Sequence, residues 1–334
     1  RRSCGPYKGG TIMFGSAARL GASFMLVACF ATPALPQSYP TKPIRIVVPF
    51  PAGGPTDTQS RWAAERLNKA FGQPVVVENR SGAGGLTGTE IVARAAPDGY
   101  TLVGGNPGPL TVAPHIRPKM PYQPERDFAP ITLLATASSM LCVHPSVPAK
   151  NVQQLIALAR AQPGKINFAS PGVGTVGHFG LELFNHMAGV TLTHVPYKGA
   201  AQYVVDLLAG HIDMASIQIA QGAPYVKEGR LRALGVSKLK RAPQLPDVPT
   251  IDEQGVKGYQ SMNWVGLLAP AATPREVIAK INAELVSALR SPAGQVLTQA
   301  GFDVAALGPE EYAEFLRAET AKWAKVAKAA NIKL

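Results

Sequence analysis

From Tyr39 onward, short apolar runs alternate with amphipathic segments of helix length. Strands are predicted at 44–50, 75–78, 101–104, 131–134, 140–144, 166–170, 191–195, 212–216, 231–237 and 265–269. Several, such as Met140-Leu-Cys-Val143, are unbroken apolar runs, the pattern of strands covered on both faces. Strands alternating with helices imply an α/β fold with a mostly parallel sheet. So many strands overfill one small sheet, and two α/β lobes are expected. No repeat of solenoid length is present.

The helices carry their own signals. Residues 56–71 place Ala63, Leu67, Ala70 and Phe71 on one face and stop at Gly72. Thr56 and Gln59 stand at capping-box spacing, and Asp57 falls in the first turn. The last helix, 309–329, has the stripe Tyr312, Phe315, Leu316, Trp323 and Val326. Its acids come first and its lysines last, which suits the helix dipole.

Residues 1–37 read as upstream sequence followed by a secretory signal. Met13 is a plausible start, and Arg19 precedes the apolar run Leu20–Ala28. That run is shorter than the ~20 apolar residues a bilayer span requires, but it suits a signal-peptide core. Leu26-Val-Ala-Cys29 has the form of a lipobox, which would leave a lipid anchor on Cys29; ordinary cleavage between residues 34 and 37 is the alternative. Either route exports the protein, so a periplasmic location is expected.

Composition then removes several function classes. Deleting residues 1–36 removes four basic residues and no acid, taking the net charge from +12 to +8. The densest basic patch is only Lys238-Leu-Lys-Arg241, so nucleic-acid binding lacks its basic stripe with interleaved aromatics. A mild attraction for anions remains. Of the three cysteines, Cys4 and Cys29 precede the fold, and Cys142 stands alone in an apolar run as a buried structural thiol. Neither a metal nor a cofactor is expected, and a monomer is.

Chemistry concentrates at strand ends. Ile44–Phe50 runs into Pro51-Ala-Gly-Gly-Pro-Thr-Asp57, and Val75–Glu78 into Asn79-Arg-Ser-Gly-Ala-Gly-Gly-Leu-Thr-Gly88. Ile166–Ser170 runs into Pro171-Gly-Val-Gly-Thr-Val-Gly177, and Thr191–Val195 into Pro196-Tyr-Lys-Gly199. Each turn opens a helix. Unpaired N–H groups and the positive end of a helix dipole suit an anion, most simply a carboxylate. Ligands of open α/β sheets sit at such carboxyl ends.

Gly172, Gly174 and Gly177 also spell G-x-G-x-x-G, which keeps a nucleotide-binding enzyme as a minor alternative. That reading needs a ribose-binding acid about 20 residues on. No carboxylate occurs between Glu182 and Asp206; His194 and Lys198 stand there instead. A hydrolase is disfavoured too, because no G-x-S-x-G elbow exists and no acid is placed to orient His178 against Ser170. His178, Glu182 and His186 follow one helix stripe at four-residue spacing, and an exposed Glu–His ladder is the simpler reading than a metal site. His194 and His211 show no partner in the sequence.

An ordered set of segments resembles one family. Tyr39 to Gly54, Asn79 to Gly88, Pro97-Asp-Gly-Tyr100, Val195-Pro-Tyr-Lys-Gly-Ala200, Leu245-Pro-Asp-Val-Pro-Thr250 and Trp264-Val-Gly-Leu-Leu-Ala-Pro270 are similar to the Bug or TctC receptors of tripartite tricarboxylate transporters. These are periplasmic solute-binding proteins. The resemblance spans Tyr39–Leu334 and implies a two-lobed periplasmic-binding-protein fold, a type II-like Venus flytrap with two crossover strands at its hinge. Lobe 1 would combine 38–137 with 259–334, lobe 2 would be 138–258, and the crossings would lie near 135–142 and 259–266.

Carried over by position, the first-lobe clamp falls on Phe50, Gly53, Gly54, Thr56 and Asp57, with Gly84 and Asn106 beside it. Backbone and water contacts to one carboxylate are implied there. The second-lobe clamp falls on Ser170, Gly172, Gly174, Thr175 and His178, with Tyr197 and Lys198 from the next turn. Asp57 has two readings, a ligand contact or an acid that merely orders its loop. Gly104-Gly-Asn-Pro-Gly-Pro-Leu110 departs from the family pattern, since Pro107 and Pro109 remove donors where relatives carry small polar residues. The implied function is capture of a small mono- or dicarboxylate for a membrane permease of the tripartite tricarboxylate type. Presenting that ligand to a sensor kinase of a two-component system is the alternative.

Overall fold

The computed structural model describes residues 39–333. The leader and the lipobox at Cys29 lie outside the described residues. Among the described residues, no helix is long and apolar enough to cross a membrane.

The strands are β1 (Ile44–Val48), β2 (Val75–Asn79), β3 (Thr101–Gly105), β4 (Phe128–Val143), β5 (Asn167–Ser170), β6 (Thr193–Pro196), β7 (Met214–Gln218), β8 (Arg232–Val236), β9 (Met262–Pro270) and β10 (Asp303–Leu307). The helices are α1 (Pro55–Phe71), α2 (Leu86–Ala93), α3 (Pro124–Asp127), α4 (Val152–Ala161), α5 (Val176–Ala188), α6 (Ala200–Leu208), α7 (Ile219–Lys227), α8 (Arg275–Arg290), α9 (Gln295–Gln299) and α10 (Pro309–Ala329). One continuous sheet runs in the order β2-β1-β3-β9-β4-β7-β5-β6, with β10 pairing the middle of β4 and β8 its C-terminal end.

The sheet is mixed rather than mostly parallel. Two parallel sets, β2-β1-β3 and β7-β5-β6, are joined through antiparallel β9 and β4. The stretches predicted as separate strands at 131–134 and 140–144 are one 16-residue strand, β4. Its first part pairs with β9 and β10, its last part with β7 and β8. It links the two lobes.

Helices cover both faces of each lobe. Ile44, Ile46, Leu67, Leu102, Ile281 and Leu285 form one core under α1 and α8, and Val47, Val103, Leu268 and Trp264 pack on the other face. In the second lobe, Phe168 and Phe184 belong to one core, while Ala169, Leu207 and Cys142 belong to another. Adjacent residues of one strand thus enter opposite cores, which explains the unbroken apolar runs. The C-terminal helix bridges the halves. Its Tyr312 packs edge-on to Trp264 of β9 at 5.9 Å, and its Trp323 edge-on to Phe179 of α5 at 6.0 Å.

Strand polarity positions the site. β9 is antiparallel to both β3 and β4, so β4 runs in the direction of β1–β3. β7 is antiparallel to β4 and parallel to β5. The carboxyl ends of β1–β3 and of β5–β7 therefore point toward each other. Gly105 ends β3 level with Gly266 and hence Leu133, whereas Gln218 ends β7 level with Ser139. Those levels lie roughly 20 Å apart along β4 at about 3.3 Å per residue. The turns and helix starts that follow the strands face each other across that gap.

Candidate functional site

The first jaw is built where β1, β2 and β3 end. α1 begins at Pro55 with Gly54 as its N-cap, and no side chain caps it. The predicted Thr56–Gln59 capping box does not form. Thr56 instead lies inside the first turn, where its hydroxyl accepts from Asn106 Nδ2 at 3.2 Å. The first-turn N–H groups thus stay free of any side-chain cap. α2 starts likewise behind Gly85 without a cap.

Asp57 is buried, and its carboxylate is fully engaged. Oδ2 accepts from the Gly53 N–H and from Arg61 Nε, both at 2.9 Å, and Oδ1 accepts from Asn79 Nδ2 at 2.9 Å. Asn79 Nδ2 also donates to the Phe50 carbonyl at 3.0 Å, and Arg61 reaches Asn79 Oδ1 at 3.0 Å. Burial pushes the Asp57 pKa up. The hydrogen bonds from Arg61, Gly53 and Asn79, with the Arg61 charge, outweigh it and hold the carboxyl below its ordinary value. One carboxylate so ties the β1 turn, the end of β2 and α1 together.

Phe50 closes the jaw's flank. A Cβ on Gly85, at φ +95°, would lie 2.8 Å from Phe50 Cζ and 3.2 Å from Pro109 Cγ, so glycine is what lets ring and turn approach. Gly84 precedes it at φ +70°. Residues Gly108–Val112 form a π-helix behind Asn106.

The second jaw follows β5. Ser170 is fully buried, and its Oγ donates to the Gly172 carbonyl at 3.1 Å while accepting from the Gly172 N–H at 3.2 Å. Thr175 caps α5, donating to the Gly172 carbonyl at 2.7 Å and accepting from the His178 N–H at 3.4 Å. The Gly174 N–H donates to His178 Nδ1 at 3.3 Å. These side chains shape the turn of Gly172 and Gly174. The N–H groups of Val176 and Gly177, in the first turn of α5, have no acceptor within the helix.

Two histidines depart from the sequence reading. His194, expected to lack a partner, has Nε2 at 2.7 Å from Ser170 Oγ. His178, placed in an exposed ladder, is buried, with its ring stacked 3.9 Å from that of His194 at 17°. Phe168 stacks on His194 at 4.9 Å. Burial drives the His178 pKa down to about 3, helped by His194, and burial takes His194 down to about 4. Both rings are neutral at pH 7, so the 3.7 Å approach of His178 Nε2 to Glu182 is no ion pair.

Tyr197 and Lys198 hold different positions. The Tyr197 hydroxyl donates to Asp206 at 2.6 Å; burial and that carboxylate push its pKa up to about 12. Lys198 is exposed, and its backbone N–H donates to Gln202 at 3.2 Å. α6 begins after Gly199 without a side-chain cap.

Sequence reasoning missed His194, Asn79 and Arg61. Only Asn79 had a local signal, as the last residue of a strand entering a glycine turn.

Opposed helix starts in two α/β lobes joined through two long strands are the architecture of a solute receptor. Residues 60–332 match the family model for the tripartite tricarboxylate transporter family receptor. The chain belongs to this family. A UPF0065 protein from the tcbD–tcbE intergenic region of Pseudomonas sp. strain P51 is 41% identical over 292 residues, 87% of each chain. Among solved structures, R. palustris Rpa4515 with adipate has a TM-score of 0.79 at 36% identity, covering 88% of this chain and 99% of its own. MatC from Rhodopseudomonas palustris with bound malate has a TM-score of 0.76 at 34% identity, covering 86% and 99%. Such TctC receptors are periplasmic solute-binding proteins, and two of these relatives hold carboxylates in their structures.

Proposed function

We propose that this receptor captures a small mono- or dicarboxylate between its lobes, outside the cytoplasm, and delivers it to a tripartite tricarboxylate-type permease. The observation that carries the reading is the opposition of two sets of helix starts whose neighbouring side chains are already engaged. Asp57, Ser170 and Thr175 direct their hydrogen bonds at their own turns, and the N–H groups beside them are left for an anion. Helix dipoles with fixed backbone donors suit a carboxylate without an arginine clamp.

In this reading the first jaw comprises Phe50, Gly53, Gly54, Thr56, Asp57, Gly84 and Asn106. The second comprises Ser170, Gly172, Gly174, Thr175 and His178, with Tyr197 and Lys198 beside it. Backbone groups touch the ligand, while Asp57, Ser170 and His178 brace. The lobes are 38–137 with 259–334, and 138–258. Closure bends the crossings near 135–142 and 259–266. The malate and adipate of the relatives support the carboxylate class.

A thermal-shift screen of mono- and dicarboxylates tests the reading. A ligand at a hundred times its Kd stabilises by about 2.7 kcal/mol, so a binding acid raises Tm measurably. Silence from every acid, alongside turnover of an ester, contradicts it.

A further inference from the structure

Asn106 stands at the end of β3, one hydrogen bond from the first turn of α1, and is 8% exposed. Its Nδ2 is engaged by Thr56 Oγ1, while its Oδ1 is buried with no hydrogen-bond partner. A buried acceptor of this kind calls for a donor. Gly108 lies beside it: a Cβ built there would sit in ordinary van der Waals contact, 3.6 Å from Asn106 Oδ1 and 3.6 Å from the Gly84 carbonyl oxygen. Two acceptors thus border a position that glycine leaves unfilled.

The carboxylate itself cannot meet this need. Its oxygens carry lone pairs and repel Asn106 Oδ1, while the free N–H groups of α1 attract them. The two demands are met together by a ligand whose carboxylate faces the helix start and whose neighbouring carbon bears a donor. We propose that Asn106 is a specificity residue, whose side-chain oxygen accepts from a hydroxyl or ammonium group next to the ligand carboxylate. The preferred ligands are then 2-hydroxy- or 2-amino-carboxylates. This rests on the carboxylate-receptor reading and narrows it.

Calorimetric titration of the whole protein with matched sets tests it. Lactate, alanine and propionate form one set; malate, aspartate and succinate form the other. Within at least one set, the hydroxy or amino acid is expected to bind on the order of ten- to a hundredfold tighter than the plain acid. Which of the two leads tells hydroxyl from ammonium. In Asn106→Leu the ratio is expected to fall to within about threefold, the cost of a lost buried hydrogen bond having gone. Equal binding of the plain acid to the unaltered protein overturns the proposal and leaves the receptor reading standing. Preference for the plain acid does the same, placing the amide Nδ2 toward the carboxylate. A ratio unchanged in Asn106→Leu removes the role from this residue. Failure of every carboxylate to bind overturns the proposal and the receptor reading together. Where Asn106→Leu does not fold, the wild-type comparison still decides the ligand class, and Asn106→Ala is read in its place for the role of the residue.

Discussion

His194 Nε2 lies 2.7 Å from Ser170 Oγ, joining two adjacent parallel strands at the base of the second jaw. Ser170 has one proton, and it points at the Gly172 carbonyl. With that donation the hydroxyl oxygen accepts from the Gly172 N–H and from His194, the arrangement that goes with the neutral His194 tautomer carrying hydrogen on Nε2. His178 takes the same tautomer for a different reason, because its Nδ1 accepts from Gly174. Two stacked neutral imidazoles thereby hold both ends of one glycine turn.

Replacing His194 by Phe keeps a flat ring for the stack but removes the donor to Ser170. The buried hydroxyl then loses a partner, and about 1–3 kcal/mol of stability is expected to go with it. Urea unfolding reads the loss, and titration of a bound acid is expected to show weaker affinity as the Gly172 turn loosens. An unchanged midpoint contradicts the bracing role.

The histidine pair also sets an acid limit. An unfolded imidazole takes up its proton near pH 6.5, whereas His194 and His178 do so in the fold near 4 and 3. Between those values the unfolded chain binds more protons, so stability rises with pH. The contribution is complete above about pH 6.5 and is lost progressively as pH falls toward 4. Tm recorded across that window is expected to fall with acid, and His194→Phe is expected to show a shallower slope. Equal slopes count against the assignment.

Asp57→Asn tests the first jaw. The amide cannot accept from Gly53, Arg61 and Asn79 as the carboxylate does, and a cost of about 1–3 kcal/mol follows. The folded carboxyl pKa lies below the usual value, so its contribution is present above about pH 4 and disappears as pH falls through the folded value. The Tm difference between wild type and variant is therefore expected to shrink in acid. A constant difference is the contrary result.

Gly85→Ala is expected to damage binding more than a surface change of the same size. The added methyl meets the Phe50 ring at 2.8 Å at a positive φ, so the ring must move or the turn must strain. A cost of about 1–3 kcal/mol and reduced ligand affinity are expected from thermal unfolding and titration. Wild-type values for both contradict the close approach.

Much of this architecture was legible in the chain. Strand, glycine turn and helix followed one another at 44–71 and 166–188 because buried strands leave apolar runs and turns leave glycines. The centre of β4 was not legible, because Ala135-Thr-Ala-Ser-Ser139 has no large apolar residue to mark a strand. β10 was missed because Asp303-Val-Ala-Ala-Leu307 pairs only with β4, off the main path of the sheet, and starts on an exposed acid. His194 showed no partner in the sequence because Ser170 is 24 residues away. The parallel register that sets His194 beside Phe168, and so near Ser170, exists only once the sheet forms. The uncapped start of α1 was hidden by a Thr–Gln spacing that mimics a capping box, while Thr56 in fact serves Asn106.

The central claim is that backbone N–H groups at opposed helix starts hold the carboxylate. An amide-resolved NMR titration with an acid that raises Tm tests it most directly. The largest shifts are expected at Thr56, Asp57, Val176 and Gly177, in both jaws at the same ligand concentration. Shifts confined to one jaw, or gathered instead around the 270 Å³ cavity lined by Phe128, Leu268, Leu316 and Arg317, contradict it.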